Sequence, residues 1–183
     1  AYAKANPGKI RYGSAGVGSF PHYGMEVFAK QAGIEMVHVP NKGGGAAYLK
    51  DMMTGDVQVG TMNVATAAPI LKNGTVRPIA VTEETRLAEF PDIPSLAELG
   101  YSRPGTGFWH SLFAHAATPR PILEKLHAAI LEAMKSPDVV AAFAKNHMRR
   151  IPHPTLDEEQ AWLVREIAAW RQITSQVPIE MAE

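Results

Sequence analysis

Two glycine-rich turns carry the residues best suited to chemistry, and that chemistry is the holding of an anion. The first turn reads Gly13-Ser14-Ala15-Gly16-Val17-Gly18-Ser19, with His22 just beyond it. Its glycines let the backbone turn tightly and come close to a ligand, because no Cβ stands in the way. Gly18 and Ser19 open a helix whose first N–H groups have no internal acceptor. Those N–H groups, the helix dipole and the Ser14 and Ser19 hydroxyls suit a carboxylate or a phosphate. The same residues also read as a plain tight strand–helix connection, with Ser19 as N-cap and His22 covering the helix start. The second turn is Asn41-Lys42-Gly43-Gly44-Gly45. Lys42 beside glycines resembles a phosphate cradle, but the G-K-[ST] order of a P-loop is missing. Asn63 follows a third predicted strand.

Other chemistries lack their residues. The first turn has the order G-x-x-G-x-G rather than G-x-G-x-x-G, and no acidic residue follows a second strand at ribose-binding spacing. Ser14 and Ser19 have no nucleophile-elbow context. None of the seven histidines has HExxH-type spacing. There is no cysteine, which removes disulfides, thiolate metal sites and thiol nucleophiles. Eighteen basic residues balance eighteen acidic ones, so charge gives no support for a nucleic-acid or anionic-membrane partner. A site of backbone donors, hydroxyls, amides and one lysine, without an evident acid–base pair, favours binding over catalysis. The candidate ligand-binding set is Ser14, Ala15, Gly16, Gly18, Ser19 and His22 from the first turn, Lys42, Gly43, Gly44 and Gly45 from the second, and Asn63. No catalytic residue, metal ligand or cofactor is assigned.

These residues need elements to position them. Strands are predicted at residues 10–13, 35–39, 57–62 and 77–82, alternating with helices at about 21–31, 46–54 and 64–72. Met25, Phe28, Ala29 and Ala32 form the apolar face of the first of these helices, and Ala46, Leu49, Met52 and Met53 that of the second. Such alternation is the signature of a mostly parallel sheet covered by helices, which binds ligands beyond the carboxyl ends of its strands. Both glycine turns and Asn63 lie at such ends. Residues 1–6 read as the tail of a helix stopped by Asn6-Pro7-Gly8. Residues 83–107 are irregular, broken by Pro91, Pro94 and Pro104, with a short helix at about 95–99. Residues 108–114 read as a buried strand and 149–151 as a second strand. Helices follow Thr118-Pro119, Ser136-Pro137 and the capping box Thr155-Leu156-Asp157-Glu158. Ile122, Leu126, Ile130 and Ala133 are the core face of the first of these, and Leu163, Ile167 and Trp170 that of the last.

Taken in order, these motifs resemble the Bug-type periplasmic solute receptors, the substrate-binding proteins of tripartite tricarboxylate transporters. The resemblance begins in Tyr12-Gly13-Ser14-Ala15-Gly16-Val17-Gly18-Ser19 and continues through His38-Val39-Pro40-Asn41-Lys42-Gly43-Gly44-Gly45. It extends over Gly55-Asp56-Val57-Gln58-Val59, Ala80-Val81-Thr82 with Arg86, Pro91-Asp92-Ile93-Pro94-Ser95 and Glu98-Leu99-Gly100-Tyr101. Trp109, Thr118-Pro119 and the two final helices also fit. The family usually has Tyr in place of Asn41, Pro in place of His115, and often Gly at Asn146-His147.

The resemblance implies an α/β, type II periplasmic-binding-protein fold closing on a small carboxylate. One lobe with a mostly parallel sheet is expected complete, with only the C-terminal part of the other. Residues 1–9 would end an interlobe helix, 10–107 would be the ligand-binding lobe (its boundary open from residue 80 onward), and 108–183 the returning segment of the first lobe. It further implies a non-enzymatic periplasmic receptor that works with membrane transporter subunits. Missing its first half-lobe, the chain alone is expected to bind ligand poorly and to self-associate through uncovered helix faces. A ligand-sensing regulatory domain of a transcription factor with the same fold, and an enzyme using the turns for a phosphate, are the alternatives.

Overall fold

The computed structural model describes residues 1–102 and 107–179. By internal packing these form two compact units, Ala1–Phe108 with Ala169–Glu183, and Trp109–Ala168. Pro104 lies outside the described residues.

The first unit is built on a parallel sheet. Strand β1 (Ile10–Ser14) is central, with β2 (Met36–Pro40) on one side and β3 (Val59–Gly60) on the other. The register pairs Tyr12 with His38 and Ser14 with Pro40 across one edge, and Gly13 with Gly60 across the other. Helix α1 (Tyr2–Ala5) precedes the sheet, α2 (Phe20–Ala32) joins β1 to β2, α3 (Gly45–Thr54) joins β2 to β3, and α4 (Val64–Lys72) follows β3.

Neighbouring residues of a strand face opposite ways. Tyr12 meets His22 and Glu26 of α2, whereas Gly13 meets Tyr48 of α3. Helices α2 and α3 therefore cover opposite faces, as the strand–helix alternation predicts. Met25, Ala29 and Ala32 are buried on the α2 side. Gly33 ends α2 in the left-handed region at φ +58°, its N–H shared between the Ala29 and Lys30 carbonyls. On the other face the buried residue of α3 is Tyr48; Ala46 and Met53, expected inward, are exposed. Tyr48 takes that place because glycines on both neighbouring strands leave room for its ring.

Several predicted elements are shorter or absent. The strand expected at 77–82 is a single parallel bridge between Val81 and Ser95. Pro78 in the middle of that run has no N–H to give a ladder. The strand expected at 57–62 keeps two residues, Val59–Gly60. The helix expected at 95–99 is one turn. Ser95 and Glu98 make a reciprocal capping box at 3.2 Å, but Gly100 at φ +81° closes it at once, and the Tyr101 N–H returns to the Leu96 carbonyl. Arg86 clamps this turn, bonding the Glu98 carboxylate and the Pro91 carbonyl.

The second unit contains α5 (Arg120–Ala133), α6 (Pro137–Lys145) and most of α7 (Leu156–Gln176). The Thr155–Glu158 capping box is present, with both bonds at 3.2 Å. Trp109 stands edge-on to Trp162 and donates its indole N–H to Glu166 at 2.9 Å. The strands expected at 108–114 and 149–151 are irregular, and Leu112 and Phe113 are 78% and 70% exposed. A strand needs a partner for its N–H and C=O groups, and this unit has no strand among the described residues. Ile122, Leu126 and Ile167, expected in the core, are about half exposed. Trp170, in the C-terminal part of α7 that belongs to the first unit, stands edge-on to Phe20 and Tyr23. No helix of the described residues is long and apolar enough to cross a membrane.

Candidate functional site

Because the strands are parallel, the segments that follow them leave the sheet at one edge. Residues 15–19 leave β1, 41–44 leave β2 and 61–63 leave β3. Both glycine turns and Asn63 thus lie at the carboxyl ends of adjacent strands.

The first turn is braced from within. The Ser14 side chain is fully buried. Its Oγ accepts the Gly16 N–H at 3.1 Å, lies 2.6 Å from His38 Nε2, and is 3.1 Å from the Gly16 carbonyl. The Ser19 Oγ donates to that same carbonyl at 2.7 Å, and the Ser19 N–H to it at 3.2 Å. The Gly18 N–H donates to His22 Nδ1 at 3.1 Å. Gly16 and Gly18 sit at φ +116° and +77°, where L side chains are strained.

This changes which groups are available. The Gly18 and Ser19 N–H groups and the Ser14 hydroxyl, all expected to face a ligand, are spent on holding the turn. The N–H groups of Ala15, Val17, Phe20 and His22 find no acceptor among the described residues. Ser19 stands at the N-cap with extended backbone, but its side chain makes no capping bond. The donors left at the start of α2 are therefore backbone ones, displaced from those the sequence indicated.

The second turn is built the same way. The Asn41 N–H extends the ladder to the Ser14 carbonyl at 3.0 Å. Its side chain accepts the Gly43 N–H at 3.0 Å and donates to Asp51 at 2.8 Å. A Cβ on Gly43 would meet that of Ala47 at 2.7 Å, and Gly44 sits at φ +76°. The Gly45 and Ala46 N–H groups at the start of α3 have no acceptor among the described residues. Lys42 is exposed. Asn63 is the N-cap of α4, its Oδ1 accepting the Thr66 N–H at 2.9 Å.

Beneath the first turn lies a polar aromatic stack of which the sequence reading singled out only His22. His22 is 5% exposed, and its ring stacks on His38 with centroids 3.7 Å apart. His38 stacks in turn on Tyr12 at 4.9 Å, and the Tyr12 hydroxyl donates to Glu26. Burial first and the neighbouring His22 second push His38 down to about 4. Burial also lowers His22, against the opposing pull of Glu26. Burial and then Glu26 raise Tyr12. At neutral pH both imidazoles are uncharged, which leaves the helix N-termini and Lys42 to attract an anion at this edge. The signal for His38 was its position, since the parallel register sets it opposite Tyr12 on the α2 face. Among the described residues no group of three His, Asp or Glu side chains could hold a metal ion.

Against known families, residues 1–176 match the tripartite tricarboxylate transporter family receptor. The chain belongs to that family. Among curated relatives of this chain is BugT of Bordetella pertussis, 30% identical over 170 residues, or 93% of this chain and 52% of the relative. A UPF0065 protein of Cupriavidus necator is 37% identical over 151 residues, covering 81% of this chain and 44% of its own length. The chain thus spans about half the length of these relatives. Among solved structures, an R. palustris protein with adipate matches at TM-score 0.82 and 28% identity, over 97% of this chain and 59% of the other. MatC from Rhodopseudomonas palustris with bound malate matches at 0.79 and 25%, over 94% and 59%. The periplasmic binding protein BugD matches at 0.83 and 25%, over 98% and 60%. The chain has the α/β periplasmic-binding-protein fold of these Bug-type relatives.

Proposed function

We propose that this chain forms the ligand-holding part of a periplasmic receptor that captures a small organic acid, without catalysis, for a tripartite tricarboxylate-type transporter. The observation that carries this reading is the convergence at one sheet edge of two helix N-termini, α2 and α3, each with N–H groups that lack an acceptor among the described residues. Such ends favour an anion, since donors and dipole act together. The structural relatives solved with adipate and malate support a carboxylate as that anion. Val17, Phe20, Gly45 and Ala46 would supply backbone donors and Lys42 a charge. Ser14, Ser19, His22 and Asn63 would hold the turns rather than the ligand. Membrane transporter subunits are the protein partners this reading implies. Self-association through the exposed faces of α5 and α7 belongs to the same reading and is read by light scattering.

Calorimetric titration of the two-lobed receptor with a panel of mono-, di- and tricarboxylates tests the reading. Saturable binding of at least one acid, with phosphate and uncharged amide analogues inert, is the expected result. Tight binding of phosphate with no response to any carboxylate would overturn it.

A further inference from the structure

His22 is used by the fold in a way that anion binding does not explain. Its Nδ1 accepts the Gly18 N–H at 3.1 Å, so in this arrangement Nδ1 carries no proton and Nε2 does. Its ring lies 3.7 Å from that of His38 and within 16° of parallel. The far side of the pair is anchored as well, His38 Nε2 lying 2.6 Å from the buried Ser14 Oγ that receives the Gly16 N–H. The two histidines therefore tie both ends of the first glycine turn.

We propose that His22 is the positioning residue of this turn, holding Gly18 through an unprotonated Nδ1 and releasing it when the His22–His38 pair takes up a proton. The titratable and charged groups facing His22 are Tyr12 from β1, His38 from β2, and Tyr23 and Glu26 from its own helix. Among the described residues Glu26 is the only charged one, and its carboxylate already accepts the Tyr12 hydroxyl. Two stacked rings cannot both be charged cheaply, so the pair titrates as a unit and takes one proton first. His38 is held down to about 4 by burial and by His22. Glu26 favours the charged form of His22, so the first proton goes there. It can enter only at Nδ1, where it points a donor at a donor. The Gly18 N–H must then turn away, and with it the flanking Val17 and Ser19. Where that turn seats a carboxylate, the reading above on which this consequence rests, acid loosens the grip.

The test needs no ligand, so it fails or succeeds independently of the binding reading. The 183-residue chain is labelled with 15N, and the histidine ring nitrogens and the Gly18 amide are followed by NMR from pH 7.5 to 4. At pH 7.5, His22 Nδ1 should resonate as an unprotonated nitrogen. On acidification the Gly18 amide and the His22 ring should follow one curve. His22→Asn, whose Oδ1 stands in place of Nδ1 and does not titrate, should keep the Gly18 position and flatten its curve. His22→Phe, with a ring but no acceptor, should shift the Gly18 amide at every pH. A protonated Nδ1 at pH 7.5, or a Gly18 amide that ignores the ring, overturns the proposal. So does an unchanged Gly18 curve in His22→Asn. If both variants unfold, the comparison of ring and amide in the unaltered chain decides.

Discussion

A Cβ on Gly13 would stand 3.0 Å from the Cβ of Tyr48. One on Gly60, the cross-strand partner of Gly13, would stand 3.1 Å from the same ring. Paired glycines on adjacent strands thus form a slot that the buried Tyr48 fills, and its hydroxyl is tied to the Thr61 carbonyl. This contact seats α3 on the sheet and, through α3, the second glycine turn.

Gly13→Ala should therefore destabilise the fold by about 1–3 kcal/mol, the usual cost of overpacking. The approached atom is the Cβ of Tyr48 rather than a flexible tip, so relief requires a backbone shift. The urea midpoint of the variant against the unaltered chain measures it, and an unchanged midpoint would contradict the slot.

Stability should also fall in acid. His22 and His38 are both held below the ordinary histidine range, His38 down to about 4. The unfolded chain then takes up protons first, near pH 6.5, while in the folded chain both histidines resist and His38 does so until about 4. Stability is full above about pH 6.5 and is lost progressively toward pH 4. Thermal midpoints measured across that window should drop with pH, and His38→Gln should blunt the slope. A flat profile in the unaltered chain would show that the pair is not buried neutral.

Lys42 offers the one side-chain charge assigned to the site. Lys42→Met should weaken carboxylate binding by about two- to fivefold, matching an exposed ion pair of about 0.5–1 kcal/mol. Because the charge is exposed, the difference should shrink as salt is raised. Isothermal titration at low and high ionic strength checks both points. A loss that salt does not touch would place the lysine in a buried contact instead.

Much of the frame was legible in the chain because its signals are local. Gly33, Gly44 and Gly55 mark helix ends where only a residue tolerant of positive φ sits easily. The alternation of strand and helix over residues 10–72 is a periodicity that tertiary packing did not override. The roles inside the site were less legible because they depend on contacts across the fold. Ser14 looked like a ligand group; the parallel register brings His38 beside it and buries its hydroxyl. Gly18 looked like a donor; helical spacing sets His22 one turn ahead to take its N–H. Tyr48 carries no local signal, and Ala46 and Met53 read as inward, because nothing in α3 itself reveals a slot made by glycines of two strands. The apolar runs at 108–114 and 149–151 failed as strands for a related reason. Their β propensity is local, but a ladder needs a neighbour.

The free backbone donors at the start of α2 are the groups proposed to hold a ligand carboxylate. The most direct measurement is a crystal structure of the receptor grown with malate or adipate. The expected result is a carboxylate oxygen within hydrogen-bonding distance of the Val17 or Phe20 N–H, with the Gly18 N–H still on His22. A carboxylate bound elsewhere, with the start of α2 contacting only solvent, would contradict it.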